Sequence, residues 1–348
     1  MNSDRSIAHW LLAVAALVFC MVVLGGVTRL TESGLSIVEW QPLIGVIPPL
    51  SEADWSVLFA KYQMTPEYQL VNRGMSLDGF RQIFWLEYLH RLLGRAIGVA
   101  FLLPFAYFLI RRRIKRELAP KLVVMFVLGG LQGVLGWYMV KSGLVDRPDV
   151  SAYRLAAHLV LATVIYLYMI WVALGLLNQR GPNTRRGRGQ RIVRLYAPAL
   201  TGLALVTLIA GAFVAGNDAG LAYNTFPSMG GAVVPADLFI HEPGWRNFFE
   251  SVPLVQLNHR LLAYLTVLGS LALFVISGAY GTRSGLSRET RRVIWLVLGL
   301  TLAQFALGLS TLLLYVPIPL AAAHQAGALL LLTALIWVNH AVRRKEAH

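Results

Sequence analysis

The stretch EYLHRLLGR, residues 87–95, decides the fold, because it places Glu87, His90 and Arg91 where a polar loop enters an apolar run. The same signature returns as LNHRLLAY at residues 257–264, again at the start of an apolar run. A histidine inside a membrane span is costly and usually faces the interior of a helix bundle with a partner. The two copies predict a duplicated helical membrane protein with a site in each half.

The composition supports a membrane protein. Hydrophobic residues make up 57% of the 348 residues and charged residues only 14%, against about 25% in soluble domains. The net charge of +14 does not indicate a nucleic-acid partner, because the basic residues cluster in short loops between apolar runs. Such a distribution is typical of membrane orientation signals, and it predicts a lipid bilayer as the surrounding medium.

Eight apolar runs are long enough to cross a bilayer, since a spanning helix needs roughly 20 residues. We therefore predict an all-α integral membrane protein with eight transmembrane helices. The predicted spans lie near 9–27, 84–110, 121–140, 154–177, 195–215, 256–280, 292–314 and 320–341.

Basic clusters predict the orientation. They follow spans two, four, six and eight, at residues 111–116, 180–191, 283–292 and 343–345. By the positive-inside rule those ends are cytoplasmic, so both termini are predicted to be cytoplasmic as well. The opposite side then carries two long loops, at 28–83 and 216–255.

The two halves of the chain share motifs in the same order. HRLLGR matches HRLLAY, LQGVLGW matches AQFALGL, and RLAAHLV matches LAAAHQA. The matches recur about 170 residues apart, which is the signature of an internal repeat. We predict two tandem pseudo-symmetric four-helix bundles, with an N-terminal unit at 1–180 and a C-terminal unit at 181–348. Because each has an even number of spans, the repeat is parallel.

Four histidines belong to the repeated motifs, and each lies near the outer start of an even-numbered span. They are His90, His158, His259 and His324. Two imidazoles per unit at one depth favour axial ligation of a haem iron between helices. Hydrogen bonding between helices and a zinc or copper site are the alternatives. The latter is the weaker one, because two imidazoles without thiolates are a thin ligand set.

Polar residues near these histidines have two interpretations each. Arg91 and Arg260 either bind haem propionates or snorkel to lipid headgroups. Arg29, Asn217 and Asp218, at the outer ends of spans one and five, either touch a haem or only close a helix.

The halves differ three residues before the first histidine, where the first has Glu87 and the second Gln256. Glu87 shares a helix face with His90, so its carboxylate is expected beside whatever His90 binds. An amide cannot act as a base. The difference indicates chemistry in the first unit and redox support in the second. An acid near the start of a helix also interacts favourably with the helix dipole, which is the alternative explanation.

These motifs together resemble the haem A synthase family, in its mitochondrial and alphaproteobacterial form. The resemblance rests on GGVTRLTESGLSIVEWQP, EYLHRLLGR, LQGVLGWYMV, RLAAHL, LAYNTFP, LNHR and AAAHQ, and it covers nearly the whole chain. It implies an oxidoreductase that acts on a CH or CH2 group of haem. The C8 methyl of haem o becomes the formyl group of haem a through hydroxylated intermediates, with oxygen from water, and haem a serves cytochrome oxidase.

The resemblance also implies roles for single residues. His90 and His158, with Arg91, hold the haem o substrate, and His259 and His324, with Arg260, hold a permanent haem b. Glu87 falls on the essential glutamate of the family. The implied location is the cell inner membrane with the haem sites toward the outer side. Haem o synthase and cytochrome oxidase assembly factors are implied partners, while the electron acceptor and a homo-oligomer stay open.

Two other functions remain as alternatives. A quinol-oxidising cytochrome with two haems b would explain four histidines equally well, but it gives no role to the difference between Glu87 and Gln256. A transporter or haem-handling chaperone is compatible with parallel repeats. Spans broken by Gly or Pro at matched midplane positions, which transport would favour, are lacking.

Overall fold

The computed structural model describes residues 3–39, 44–145, 150–177, 188–279 and 286–343. Within these ranges the chain is helical and has no β-strand, and eight helices are long and apolar enough to cross a membrane. The predicted all-α multi-pass membrane protein is therefore confirmed. The eight spans are α1 (Ser3–Leu30), α4 (Leu77–Ile110), α5 (Ala119–Val145), α6 (Ala152–Leu177), α7 (Arg188–Gly216), α9 (Val252–Ala279), α10 (Arg288–Leu313) and α11 (Ile318–Arg343).

The long loop at 28–83, called the first outer loop after its predicted side, carries two short helices, α2 (Glu52–Gln63) and α3 (Pro66–Leu70). Ser51 and Asp54 form a reciprocal capping box at the start of α2, which satisfies amide groups that the helix leaves unpaired. Pro66 follows the capping Thr65 at the start of α3, where a missing N–H costs nothing.

Helix α4 begins seven residues before the predicted start at 84, at Leu77. Residues 77–85 therefore extend this span. Ser76 caps the helix by accepting a hydrogen bond from Gly79 N at 3.2 Å. The added turns bury aromatic side chains against α2, and this packing supports polar turns that hydropathy alone places in a loop. The cluster comprises Trp55, Tyr62, Phe80, Phe84 and Tyr88.

The structure divides into two compact units, one of Ala13–Ile165 and one of Met1–Leu12 with Tyr166–His348. The boundary predicted at 180/181 lies outside the described residues, so the two-domain organisation stays a prediction. The basic clusters at 180–191, 283–292 and 343–345 also lie partly outside them, and the orientation of the spans stays a prediction too.

In the unit of 13–165, α4 packs on α5, while α2 packs on α4 and α3 on α5. The short loop helices thus pack on two spans. Tyr88 ties the loop further, because its hydroxyl donates to Val46 O at 2.6 Å.

In the unit that contains 166–348, α7, α9, α10 and α11 form a ring in which each helix packs on two neighbours. Hydroxyl pairs link facing helices: Thr207 and Thr266 Oγ1 lie 2.9 Å apart, as do Ser270 Oγ and Thr301 Oγ1. Such polar contacts hold helices together where lipid offers no hydrophobic driving force.

The second outer loop is closed by one buried amide in the helix α8 (Asn247–Glu250). The Asn247 side chain accepts from Ile240 N and His241 N, both at 2.8 Å, and donates to His241 O at 2.8 Å. The loop therefore reaches α9 with its backbone polar groups satisfied near the end of the helix.

Candidate haem sites

The four repeated histidines lie on even-numbered spans and are all half-buried. His90 on α4 and His158 on α6 belong to the unit of 13–165, and His259 on α9 and His324 on α11 to the other unit. The members of each predicted pair thus lie within one unit.

The second pair is spaced for a single metal ion. The ring centroids of His259 and His324 are 6.4 Å apart and the ring planes are nearly perpendicular, at 89°. Two metal–imidazole bonds of about 2 Å each account for most of the distance between the centroids, and the two ring radii account for the rest. The spacing therefore fits axial ligation of one iron by both rings.

Hydrogen bonds orient the rings of the second pair. His259 Nδ1 lies 3.1 Å from Thr207 O, so this nitrogen carries the proton and Nε2 is left to bind a metal. Gln304 Nε2 donates to His324 O at 2.8 Å. Both Gln304 Oε1 and His324 Nδ1 are buried without a partner among the described residues. An amide oxygen that accepts hydrogen bonds and an imidazole nitrogen are therefore left for a further group.

The first pair has a related environment. Gln132 Nε2 donates to His158 O at 3.0 Å and lies 3.1 Å from His158 Nδ1. His90 Nδ1 is buried without a partner in the described part of the chain. Each of these two histidines can therefore present an imidazole nitrogen to a bound group.

A porphyrin fits this donor set better than a bare metal ion. Among the described residues there is no group of three or more His, Cys, Asp or Glu side chains that could hold a metal. A haem iron has four porphyrin nitrogens and needs from the protein only axial ligands, such as the paired imidazoles found here.

Glu87 is buried, with 3% of its surface exposed, and both carboxylate oxygens are hydrogen-bonded. Oε1 accepts from Arg91 Nε at 2.9 Å and Nη2 at 2.5 Å. Oε2 accepts from Ser36 Oγ at 2.7 Å and Ile37 N at 2.8 Å. The carboxylate therefore joins α4 to the first outer loop one turn from His90.

Arg91 contacts the same loop directly. Its Nη2 donates to Ile37 O at 2.8 Å and its Nη1 to Glu39 O at 3.1 Å. The guanidinium and the carboxylate of Glu87 thus hold consecutive parts of one loop segment.

The second unit uses an amide and an arginine for the same purpose. Gln256 Nε2 donates to Tyr223 O at 3.3 Å. Arg260 donates to Tyr223 O at 2.8 Å, Thr225 O at 3.0 Å and Ser228 O at 3.2 Å. Each arginine after the first histidine thus holds an outer loop, a role that the sequence alone did not indicate; propionate binding stays a prediction.

A second buried acid lies in the first outer loop, and sequence reasoning missed it. Glu67 in α3 is 4% exposed, and its Oε2 has no partner among the described residues. Burial, and then the charges of Glu87 and Glu32, raise the pKa of Glu67 to about 8. No local signal marks it, because Glu67 occupies an ordinary first-turn position of a capped helix.

Of the three residues whose roles the sequence left open, Asn217 closes a helix. Its Nδ2 donates to Phe213 O at 2.7 Å and Phe249 O at 2.9 Å. Asp218 follows with a left-handed backbone, at a φ of 49°, and Arg29 lies in the last turn of α1.

Comparison with known proteins gives consistent matches over the whole chain. The model of the COX15-CtaA family, described as cytochrome oxidase assembly protein, matches residues 8–336. A heme A synthase of Nitrosospira multiformis is 55% identical over 343 residues, covering 98% of this chain and 95% of the relative. One from Nitrosomonas eutropha is 51% identical over 97% of this chain and 94% of its own length. Heme A synthase COX15 of Arabidopsis thaliana is 46% identical over 99% of this chain and 76% of its own length.

Proposed function

We propose that this chain, which belongs to the COX15-CtaA family of cytochrome oxidase assembly proteins, is a haem A synthase of the cell inner membrane. The main observation in support of this proposal is the matched pair of imidazole sites, of which only the first has a buried carboxylate beside it. The comparisons support haem a synthesis for cytochrome oxidase, since relatives at about 50% identity carry that name.

The proposed reaction converts the C8 methyl of haem o to a formyl group. Two successive hydroxylations take oxygen from water, and the second product loses water to leave the aldehyde. Overall the methyl and one water yield the formyl group, four protons and four electrons. The electrons leave for an acceptor outside this chain.

His90 and His158 hold the haem o substrate in this proposal, and Glu87 serves the oxidation. A carboxylate next to the ring can accept a proton from the attacking water or stabilise positive charge that develops on the macrocycle. Ser36 and Arg91 hold that carboxylate in place. Such preorganisation avoids the cost of orienting the group during the reaction.

His259 and His324 hold haem b, which would supply one-electron transfer when bound. Gln256 provides no base beside it. Arg91 and Arg260 stay proposed propionate partners, because each lies next to its histidine at the end of the helix where an outer loop is fastened.

Haem extraction tests this function directly. The protein is purified from cells that also make haem o, and its haems are separated by chromatography with mass detection. Haem b together with haem o, a hydroxylated haem or haem a is the expected result. Haem b alone would overturn the proposal and favour the electron-transfer cytochrome with two haems b, which the matched histidine pairs would also fit.

A further inference from the structure

Each of the four histidines rests against a glycine of another helix. A Cβ atom added to these glycines would come within 3.0 Å of the histidine Cε1, closer than real Cβ contacts. The pairs, with that distance, are Gly25–His90 at 2.9 Å, Gly136–His158 at 2.9 Å, Gly211–His259 at 2.9 Å and Gly308–His324 at 2.6 Å.

Several other glycines of the same helices have no such contact. Gly133 on α5, Gly202 on α7 and Gly299 on α10 would place a Cβ atom in open space, with nothing within 4 Å. The close approach is therefore not a general property of glycine in these helices, although Gly143 on α5 would also place a Cβ atom 2.7 Å from Leu35 Cδ1.

The relation between the helices is the same in all four cases. The glycine lies on an odd-numbered span and the histidine on the even-numbered span that follows it. On three of the glycine helices, the residue one turn earlier hydrogen-bonds the same histidine. These three are Gln132, Thr207 through its carbonyl, and Gln304. A histidine seat therefore consists of a glycine under the ring, joined in three of the four seats by a polar group one turn before that glycine.

We infer that Gly25, Gly136, Gly211 and Gly308 are positioning residues for the haem-ligating imidazoles. The inference rests on the proposed function in taking haem as the ligand. Cε1 lies between the two ring nitrogens, so the glycine supports the ring edge and sets how far the ring reaches toward the bundle interior.

An added methyl group would displace a ligated ring by too much. Carbon atoms in contact prefer about 3.5–4.0 Å, so a Cβ atom at 2.6–2.9 Å must push the ring away. Metal sites tolerate deviations of about 0.2 Å in ligand distance. A free imidazole can swing aside by a rotamer change, but a ligated imidazole cannot. Alanine should therefore weaken haem binding while it leaves the haem-free helices intact.

The test uses alanine at two seats of the second unit and at two matched control positions. G211A and G308A are compared with G202A and G299A on the same helices. Readouts are haem b per polypeptide, the low-spin spectrum of bis-imidazole iron, its reduction potential and the melting temperature of the haem-free protein.

We expect the control variants to match the wild type in all four readouts. G211A and G308A should retain haem b at least tenfold less tightly, in line with other groups that orient metal ligands, or show high-spin iron. Their haem-free melting temperature should stay unchanged. Full haem b with an unchanged low-spin spectrum and potential in G308A, the closest contact, would overturn the inference.

The first-unit seats separate a positional effect from misfolding. G25A and G136A should lose haem o and haem a but keep haem b, whereas G211A and G308A should lose haem b first. Loss of both haem types in every seat variant would indicate general misfolding and would contradict the inference. Failure of the proposed function can be distinguished from failure of this inference. If the wild type binds only haem b, the proposed function fails, but G211A and G308A still test the inference. A wild type without any haem would overturn both proposals.

Discussion

The two histidine sites have the same framework and differ in the group that lies one turn before the first histidine. In the first site Glu87 accepts hydrogen bonds from Arg91 and Ser36. In the second site Gln256 donates to a loop carbonyl, and Arg260 holds the same loop. Both sites therefore fasten an outer loop, but only the first does so through a carboxylate that could also move a proton.

This comparison changes how the acid is interpreted. From the sequence, the replacement of Glu87 by Gln256 in the repeat indicates a chemical role. The structure shows that both side chains also hold a loop. A loss of activity in a Glu87 variant therefore needs a control that loosens the loop and spares the acid.

The largest expected effect comes from the axial histidines, a type of ligand that both sites have. His259→Ala should abolish haem b binding, because it removes one of two axial imidazoles, and should leave haem o in the first site. His340→Ala is the matched control: His340 packs on Trp171 near the other end of α11 and should keep both haems. Haem content by chromatography checks both, and haem b bound normally in His259→Ala would break the assignment of the second site.

Glu87→Gln copies the second site into the first, and it should slow haem a formation by about 100-fold or more, the range of general acid–base catalysis. Haem o should stay bound. The measurement is haem a formed per bound haem o. Unimpaired production would show that the acid is not part of the chemistry.

Ser36→Ala separates the two roles of Glu87, because it removes one loop contact and keeps the carboxylate. Ser36 Oγ donates to Glu87 Oε2 at 2.7 Å and is buried. One hydrogen bond to a charged group contributes about 1.5–3 kcal/mol, so activity should fall by no more than about tenfold to 100-fold. A loss equal to that of Glu87→Gln would mean that the acid acts chiefly by holding the loop in place.

Arg260→Ala tests the loop role in the second site. The side chain donates three hydrogen bonds to the carbonyls of Tyr223, Thr225 and Ser228. Their loss should raise opening of that segment by about tenfold for each bond, at about 1.5 kcal/mol per bond, measured as the rate of limited proteolysis. Loss of haem b with no change in cleavage would instead identify Arg260 as a propionate ligand.

A further expected effect is a pH dependence of stability that arises in the first loop. Burial raises the pKa of Glu67 from 4.5 to about 8, so the folded protein binds a proton that the unfolded chain releases between those values. Stability is therefore unaffected below about pH 4.5, falls as the pH rises toward 8, and levels off above it.

Glu67→Gln should remove this dependence. Melting temperatures of wild type and variant should converge near pH 4.5 and diverge toward pH 8, with the variant more stable. Glu250→Gln is the control, because that acid is paired with Arg246 at 2.6 Å. Parallel curves for wild type and Glu67→Gln would show that the buried carboxyl stays ionised.

The sequence by itself determined the membrane class and the eight spans, and it predicted the pairing of His90 with His158 and of His259 with His324. These features are local or repetitive: a run of apolar residues, or a motif that returns in the same order. Hydropathy and repeat matching read such patterns without knowledge of any contact. Hydropathy misplaced the start of α4, because Phe80 and Phe84 are stabilised by packing on α2. No local sequence pattern reports such a contact.

Only the tertiary structure decided what surrounds the histidines. Ser36 and Glu87 are 51 positions apart, and the glycine seats join residues on different helices. Gly136 and Gly308 stood inside the matched motifs LQGVLGW and AQFALGL, yet nothing in the sequence showed which glycine faces a ring. Two side chains meet only when helix packing sets the distance and rotation between their elements. That geometry results from the fit of whole helices and cannot be read from the residues of either one alone.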